Sequence, residues 1–168
     1  APSSFYGQSK LGAERAILEA IGEKNALIIR TTMVFSWDPK GMNFLMQYFK
    51  QLNEIRQGLK PPIFRIPEDQ ISTPAYAPAL AEGTCFLRER GVSGIVNLVG
   101  SDLLSRRELV ERVIRAFGFE REKSLEGFHF VKTAELGQKA RRPLTAGLTM
   151  EKAKSLGVKP WSLDKAFE

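Results

Sequence analysis

Cysteine and histidine are scarce in this chain of 168 residues, which contains one of each. The single cysteine, Cys85, excludes an internal disulfide and favours a reducing, cytoplasmic setting. We predict that it is a small buried thiol on a helix. The single histidine, His129, lies between two phenylalanines and has no second ligand at metal-binding spacing. We therefore predict a structural imidazole and no metal site.

Long apolar runs are missing as well. No stretch approaches the roughly 18 residues that a membrane span needs. Polar and charged side chains at positions 8, 10, 14 and 15 interrupt the first segment, so we do not expect it to be a signal peptide. No membrane partner is predicted.

The formal net charge of +6 raises the question of nucleic-acid binding. The basic residues are mixed with acidic ones, as in RRELVERVIRAFGFEREK, which is typical of a solvated helix face. No zinc-finger or RNA-binding signature accompanies them. We predict no nucleic-acid partner, because a site for a small anionic ligand accounts for the positive excess equally well.

Helices and short strands alternate along the chain. Ser3 or Ser4 is predicted to cap a helix over residues 6–21, and Gly22 to end it. The apolar run 26–29 predicts a strand buried on both faces in a parallel sheet, and GIVNLVG predicts a second one. Further helices are predicted at about 42–57, at 78–90, after Ser105 with Glu108 as its capping-box partner, and at 149–156 with Thr149 as N-cap.

This alternation indicates an α/β fold. Two fully buried strands are too few for a complete doubly wound sheet. KPPIFRIP and FHFV predict additional short extended segments.

The first helix contains YGQSK, in which Tyr6 and Lys10 lie one helical turn apart and share a face. A phenol is a poor base at neutral pH, and a neighbouring ammonium favours its ionised form. Such a pair suits proton transfer at a carbonyl or hydroxyl during hydride transfer, since the lysine also holds the ribose of a nicotinamide cofactor. The motif is short, so a plain helix-surface pair is the alternative.

Five segments that follow this helix in fixed order carry a more specific signal: RTTMVF, GMNFLMQYF, DQISTPAYAPALAEG, GIVNLVGSDLLSRRELVERV and ARRPLTAGLTMEKAKSLGV. Together they resemble the C-terminal half of extended short-chain dehydrogenases/reductases of the NAD-dependent epimerase/dehydratase type. The dTDP-4-dehydrorhamnose reductase-like branch is the most similar. The resemblance extends from Tyr6 almost to the last residue.

The resemblance implies roles for individual residues. Tyr6 is the general acid/base, and Lys10 activates it and binds the cofactor ribose. Thr31, Thr32 and Met33 lie at the end of the strand against the nicotinamide, and are implied as cofactor neighbours together with Tyr6 and Lys10, with substrate neighbours as the alternative for these three. Rhamnose-type reductases tend to carry an aromatic residue near the position of Met33, and its absence here leaves the identity of the sugar open. The substrate-binding residues implied are Asn43, Thr73, Arg141 and Arg142, and solvated loop charges are the alternative for the two arginines.

The family binds its cofactor at a glycine-rich turn after the first strand. No such turn occurs here, since the glycines at 91, 94 and 100 are dispersed. We therefore expect a C-terminal half, with the pyrophosphate site in a preceding N-terminal half. The expected fold is the C-terminal part of a Rossmann-type parallel sheet (residues 1–32 and 76–100) plus a small α/β substrate-binding lobe (mainly 33–75 and 101–168), in one incomplete domain.

The implied activity is that of an NAD(P)-dependent reductase or epimerase acting on a nucleotide-linked keto-sugar, with NAD(P) as cofactor. The resemblance does not decide whether the reaction is that of a reductase, an epimerase or a dehydratase. It also leaves open whether the cofactor is NAD or NADP. A homodimer is one option for its assembly. A non-catalytic, nucleotide-binding regulatory subunit of the same fold is the alternative from a different class of function.

Overall fold

The computed structural model describes residues 2–38, 40 and 42–168. Within them, the α-helices are α1 (Phe5–Ile21), α2 (Phe44–Arg56), α3 (Ala77–Glu89), α4 (Arg106–Ala116), α5 (Arg121–Leu125), α6 (Glu151–Ser155) and α7 (Leu163–Phe167). The strands are β1 (Leu27–Arg30), β2 (Val34–Phe35), β3 (Phe64–Pro67), β4 (Ile71–Ser72), β5 (Ala75–Tyr76), β6 (Gly94–Asn97), β7 (Leu104–Ser105), β8 (Phe128–Val131) and β9 (Thr145–Ala146).

The strands β1 and β6 pair in parallel, with Leu27 opposite Gly94 and Arg30 opposite Asn97. A parallel pair needs a crossover connection, and the chain between the two strands ends with α3. Behind the pair lies a sheet core, defined by Leu87, Val96, Leu98, Val99, Met150 and Ala153. This arrangement confirms the predicted α/β class with a parallel sheet.

A second and larger core, the lobe core, is rich in aromatic side chains. It is built around the buried residues Phe35, Leu45, Tyr48, Leu52, Ile66, Leu109, Val110, Val113, Phe128 and Leu163. Here β3 and β8 pair in parallel, with Phe64 opposite Phe128. The edge-to-face contacts of Tyr48 with Phe64 and Phe128 are typical of packed aromatic rings. KPPIFRIP and FHFV are thus confirmed as strand segments.

A short three-stranded sheet contributes residues from distant parts of the sequence. Its central strand is β4, with β7 antiparallel on one side and β9 parallel on the other. Ile71 is therefore opposite both Ser105 and Thr145. In this way the segments after β3, before α4 and before α6 meet at one place.

The helix-capping predictions are confirmed at three positions. The Ser4 hydroxyl accepts a hydrogen bond from Gly7 N at 3.2 Å and begins α1. Gly22 ends that helix with φ at 78°, a conformation that favours glycine. Ser105 and Glu108 form the predicted reciprocal capping box of α4.

Two local predictions are wrong. Thr149 does not cap α6, because the helix begins at Glu151 after Met150, whose side chain makes no capping bond. Cys85 is exposed and not buried. On α3 the buried residues are Gly83 and Leu87, which are four apart, and Cys85 lies between them and points away from that stripe.

The helix α1 contributes no buried side chain to either core of the described chain, and the strand β1 is only half-buried. Within the described residues, none of the α1 side chains is buried, and Phe5, Ile17 and Ile21 are 85%, 45% and 50% exposed. The prediction of a β1 buried on both faces is also wrong for these residues. Residues 27–29 are half-buried and Arg30 is exposed, since β1 pairs on one side only, with β6.

The division into two lobes stays a prediction. Met150 and Ala153 belong to the sheet core, although they lie in the range expected mainly in the substrate lobe. Among the described residues, no helix combines the length and apolar character that crossing a membrane requires.

Candidate active site

Tyr6 and Lys10 lie on the first turns of α1 and face the same way. The Lys10 ammonium is 5.4 Å from the centre of the Tyr6 ring, a distance at which a cation and an aromatic face attract each other. Tyr6 is 69% exposed, and Lys10 is exposed too. Both groups are open to a ligand that approaches the N-terminal half of the helix. Their catalytic role stays a prediction.

One turn further along the same face, Glu14 connects α1 to the end of β1. Its two carboxylate oxygens accept hydrogen bonds from Arg30 Nε at 2.8 Å and from an Arg30 terminal nitrogen at 2.5 Å. The hydrogen bonds from Arg30 hold the pKa of the Glu14 carboxyl below its usual value. Tyr6, Lys10 and Glu14 are four residues apart in succession, so this forked ion pair orients the face of α1 that carries the predicted catalytic pair.

Replacing Glu14 by glutamine is expected to lower the free energy of unfolding by about 0.2–1 kcal/mol at pH 7, since the Arg30 side chain is 44% exposed and solvent screens the pair. A lowered pKa in the folded state stabilises the protein above the unfolded pKa, and this contribution is lost as pH falls through the folded pKa. The difference between the parent and Glu14→Gln should therefore shrink below about pH 4. Urea unfolding at pH 7 and pH 3.5 measures it.

Glu19→Gln on the same helix is the matched control, because Glu19 is exposed and forms no ion pair with any described residue. An effect of Glu14→Gln that persisted unchanged at pH 3.5, or that Glu19→Gln reproduced, would contradict this account of the ion pair.

The end of β1 brings together three of the predicted cofactor neighbours. Thr32 donates a hydrogen bond from its hydroxyl to the carbonyl of Thr73 at 2.9 Å. Met33 has φ at 43°, a left-handed conformation that is unusual for a residue other than glycine. Its carbonyl accepts a hydrogen bond from Ala75 N at 3.2 Å, and its sulfur contacts the Ser72 hydroxyl. Strained backbone of this kind is held in place by its surroundings and is concentrated at functional sites.

The Thr31 hydroxyl is buried and has no hydrogen-bond partner among the described residues. A buried polar atom without a partner is costly, so the end of β1 contains one group whose hydrogen bonding another molecule or segment can complete. Thr31 is one of the predicted cofactor neighbours.

Two of the predicted substrate residues use their side chains within the fold. Asn43 begins α2, where its oxygen accepts a hydrogen bond from Met46 N at 3.2 Å and its amide donates to Ser36 O at 3.0 Å. The buried Thr73 accepts a hydrogen bond from Leu148 N at 3.1 Å. Contact of Asn43 or Thr73 with substrate remains a prediction. The hydrogen bonds that these two side chains form in the structure hold the fold together.

The other two, Arg141 and Arg142, line a cleft of about 620 Å³. Ser3, which directly precedes the α1 cap, lies on the same cleft, so the start of the Tyr6 helix and the two arginines share one opening. The apolar side chains of Pro143 and Leu144 line it beside them.

Sequence reasoning did not nominate Asp69 and Thr133, which also line this cleft. Asp69 accepts hydrogen bonds from the Thr133 backbone at 2.9 Å and from the Thr133 hydroxyl at 2.7 Å. These bonds hold the pKa of the Asp69 carboxyl below its usual value. The cleft thus combines a fixed carboxylate with two guanidinium groups, an arrangement that suits a ligand with both hydroxyl and anionic groups.

Solved structures share this fold over the whole chain. They include dTDP-4-dehydrorhamnose reductase of Bacillus anthracis in complex with NADP (20% identity, TM-score 0.83, 99% of this chain and 54% of that one). The Yersinia enterocolitica reductase matches equally well (20% identity, TM-score 0.82, 99% and 55%). A UDP-glucose 4-epimerase of Thermus thermophilus in complex with NAD is also similar (19% identity, TM-score 0.71, 99% and 52%).

The fold is therefore that of Rossmann-type reductases and epimerases, and the chain spans about half the length of the solved structures it matches. Within this class, the chain belongs to the RmlD substrate binding domain family, whose model matches residues 1–166. The family resemblance predicted from the sequence is thereby confirmed. No curated protein matches the chain significantly.

Proposed function

We propose that this chain supplies the catalytic helix and the substrate-binding lobe of an NAD(P)-dependent reductase that acts on a nucleotide-linked keto-sugar. The observation that carries the proposal is the position of Tyr6 and Lys10 on the open face of α1, whose N-terminal flank shares a cleft with Arg141 and Arg142. The family match and the shared fold of dTDP-4-dehydrorhamnose reductases support it.

In the proposed reaction, the Tyr6 phenol donates a proton to the carbonyl oxygen of the sugar as that oxygen gains negative charge. Lys10 stabilises the phenolate that remains, because its positive charge lies close to the ring. A bound nicotinamide dinucleotide supplies the hydride to the carbonyl carbon. In the opposite direction, the same phenolate accepts the proton from a hydroxyl.

The residues at the end of β1 fit such a cofactor. Thr31 has a buried hydroxyl without a partner among the described residues, and the Lys10 ammonium forms no ion pair within them. A polar cofactor with hydroxyl and amide groups would satisfy both. We propose that Lys10 holds the ribose and that residues 31–33 border the nicotinamide.

The proposal locates the pyrophosphate site in a Rossmann half that precedes this chain. Two observations support it: the chain spans about half the length of its structural neighbours, and α1 leaves apolar side chains exposed while β1 is only half-buried. Residues 1–32 and 76–100 would then complete the Rossmann sheet. Residues 33–75 and most of 101–168 would form the substrate lobe, with 148–158 packing on the sheet core.

For the substrate, we propose that Arg141 and Arg142 face the diphosphate of the nucleotide, because guanidinium groups bind phosphate oxygens in pairs. Asp69, fixed by Thr133, is placed to accept a hydrogen bond from a sugar hydroxyl. Asn43 and Thr73 act mainly by holding α2 and the segment after β9 in position.

Testing the proposal requires the complete protein that contains this chain and a panel of 4-keto and 4-hydroxy sugar nucleotides. We expect oxidation of NADPH or NADH, followed at 340 nm, with at least one keto-sugar nucleotide and one mole of alcohol product per mole of cofactor. Turnover without net cofactor oxidation would indicate an epimerase and would overturn the assignment as a reductase. Nucleotide binding without any turnover across the panel would overturn catalysis and favour a regulatory subunit.

A further inference from the structure

Arg106, the first residue of α4, differs from the other arginines of the described chain. Only Arg106 and Arg112 are not exposed. Arg112 is paired with two carboxylates, Asp102 at 3.2 Å and Asp164 at 3.1 Å. Arg106 has no carboxylate within ion-pair distance in the described residues, and its Nε is buried without a hydrogen-bond partner.

The fold holds this guanidinium in a defined place. It lies over the Phe44 ring, 5.4 Å from its centre, and next to the hydroxyl of the buried Tyr48. Burial raises the pKa of the Tyr48 phenol, and the charge and hydrogen bonding of Arg106 oppose that shift. Tyr48 can thus accept one of the five N–H groups of a guanidinium, which leaves most of them for another acceptor.

Arg106 is also close to Asn43, one of the predicted substrate residues, and its backbone is linked to the cleft that Arg141 and Arg142 line. Phe44 directly follows Asn43 at the start of α2. The Arg106 backbone N–H donates to Gln70 O at 3.2 Å. Gln70 in turn donates from its side chain to the Thr133 hydroxyl at 3.1 Å, and Thr133 lines the cleft. The guanidinium therefore lies at the α2 N-terminus, beside Asn43, and the Arg106 backbone is linked through Gln70 to the wall of the cleft.

Leaving a charged group half-buried with an unsatisfied donor is unfavourable, since the cost of removing it from water is not recovered. The neighbouring Arg107 shows the usual solution, as it is exposed and has Glu68 at 3.8 Å and Glu111 at 3.5 Å. An anionic ligand with two or more oxygens in one plane would satisfy Arg106 in the same way.

We propose that Arg106 binds a phosphate group of the substrate's nucleoside diphosphate. The inference rests on the proposed function and adds to it a fixed, half-buried anion-binding residue from α4, in contrast to the exposed loop arginines Arg141 and Arg142.

The experiment measures the affinity of the complete protein for thymidine diphosphate, inorganic pyrophosphate and uncharged thymidine by titration calorimetry. Arg106→Met, which keeps an unbranched side chain over Phe44, is expected to weaken diphosphate binding at least about 10-fold and to leave thymidine binding within about twofold. Arg106→Lys keeps the charge without the planar fork and should weaken diphosphate binding about 3- to 10-fold. Arg107→Met is the matched control and should change it less than about twofold.

Melting temperatures of all variants separate binding from folding. If Arg106→Met does not fold, the Arg106→Lys measurement decides. Unchanged diphosphate affinity in a folded Arg106 variant would overturn the inference, as would equal losses for diphosphate and thymidine. If the protein oxidises no NAD(P)H but binds diphosphate in an Arg106-dependent way, the proposed function fails and the inference stands. If the protein turns over a keto-sugar nucleotide but Arg106→Met leaves the diphosphate affinity unchanged, the proposed function stands and the inference about Arg106 fails.

Discussion

Replacing Tyr6 with phenylalanine in the complete protein is expected to lower kcat by at least about 100-fold, within the usual range for the loss of a general acid. Phenylalanine keeps the ring over which the Lys10 ammonium lies and removes only the hydroxyl that donates the proton. Because that hydroxyl acts mainly in the transition state, KM should change far less than kcat. Steady-state kinetics with the best sugar nucleotide of the panel provide the measurement.

Tyr76→Phe is the matched control, since it deletes the same atom from a half-buried ring that packs against Phe35 and Trp161. We expect its kcat to stay within about threefold of the parent. A Tyr6→Phe enzyme that lost less than about threefold in kcat would remove Tyr6 from the chemistry and leave the helix-surface pair as the better explanation of YGQSK.

Residues 1–168 expressed alone are expected to bind NAD(P)H at least about 100-fold more weakly than the complete protein, because a helix N-terminus at the pyrophosphate is a main source of dinucleotide affinity in Rossmann proteins. The exposed Phe5, Ile17 and Ile21 should also cause concentration-dependent self-association. Fluorescence titration with NADPH and sedimentation velocity at several concentrations give the two quantities.

Substituting Ile17 and Ile21 with serine in the isolated chain should reduce the association, since these positions are 45% and 50% exposed. The same substitutions should leave the cores intact. A monomeric isolated chain with micromolar NADPH affinity would contradict the proposal that the cofactor's pyrophosphate site lies in a preceding half.

The sequence predicted those features whose causes are local. Ser4 and Gly7, or Ser105 and Glu108, lie three residues apart, so the residues that begin a helix are visible in a short window. Two apolar runs likewise predicted β1 and β6 as strands of a parallel sheet, although not their pairing with each other. The motif YGQSK placed Tyr6 and Lys10 on one face for the same reason.

Features that depend on distant residues escaped prediction. Asp69 and Thr133 are far apart in sequence, and only the pairing of β3 with β8 brings them to one cleft. The absence of a carboxylate partner for Arg106 within the described residues is equally invisible in the sequence, because RRELVERV offers two acidic neighbours. The fold uses Glu111 to pair with Arg107 and Glu108 to cap α4. Cys85 was wrongly predicted to be buried, because only Gly83 and Leu87 of α3 are buried and Cys85 lies outside the stripe that they form.

The two parallel strand pairs have a consequence for the order of folding. Leu27 pairs with Gly94 and Phe64 pairs with Phe128, so forming each strand pair closes a loop of more than about 60 residues. The two loops overlap in sequence, because β3 precedes β6 along the chain. Topologies with such distant contacts fold slowly. Because the closures are interleaved, no single cut of the backbone yields two segments that each contain a whole hydrophobic core. During synthesis on the ribosome, both cores stay incomplete until the last helices emerge, because Met150 belongs to the sheet core and Leu163 to the lobe core.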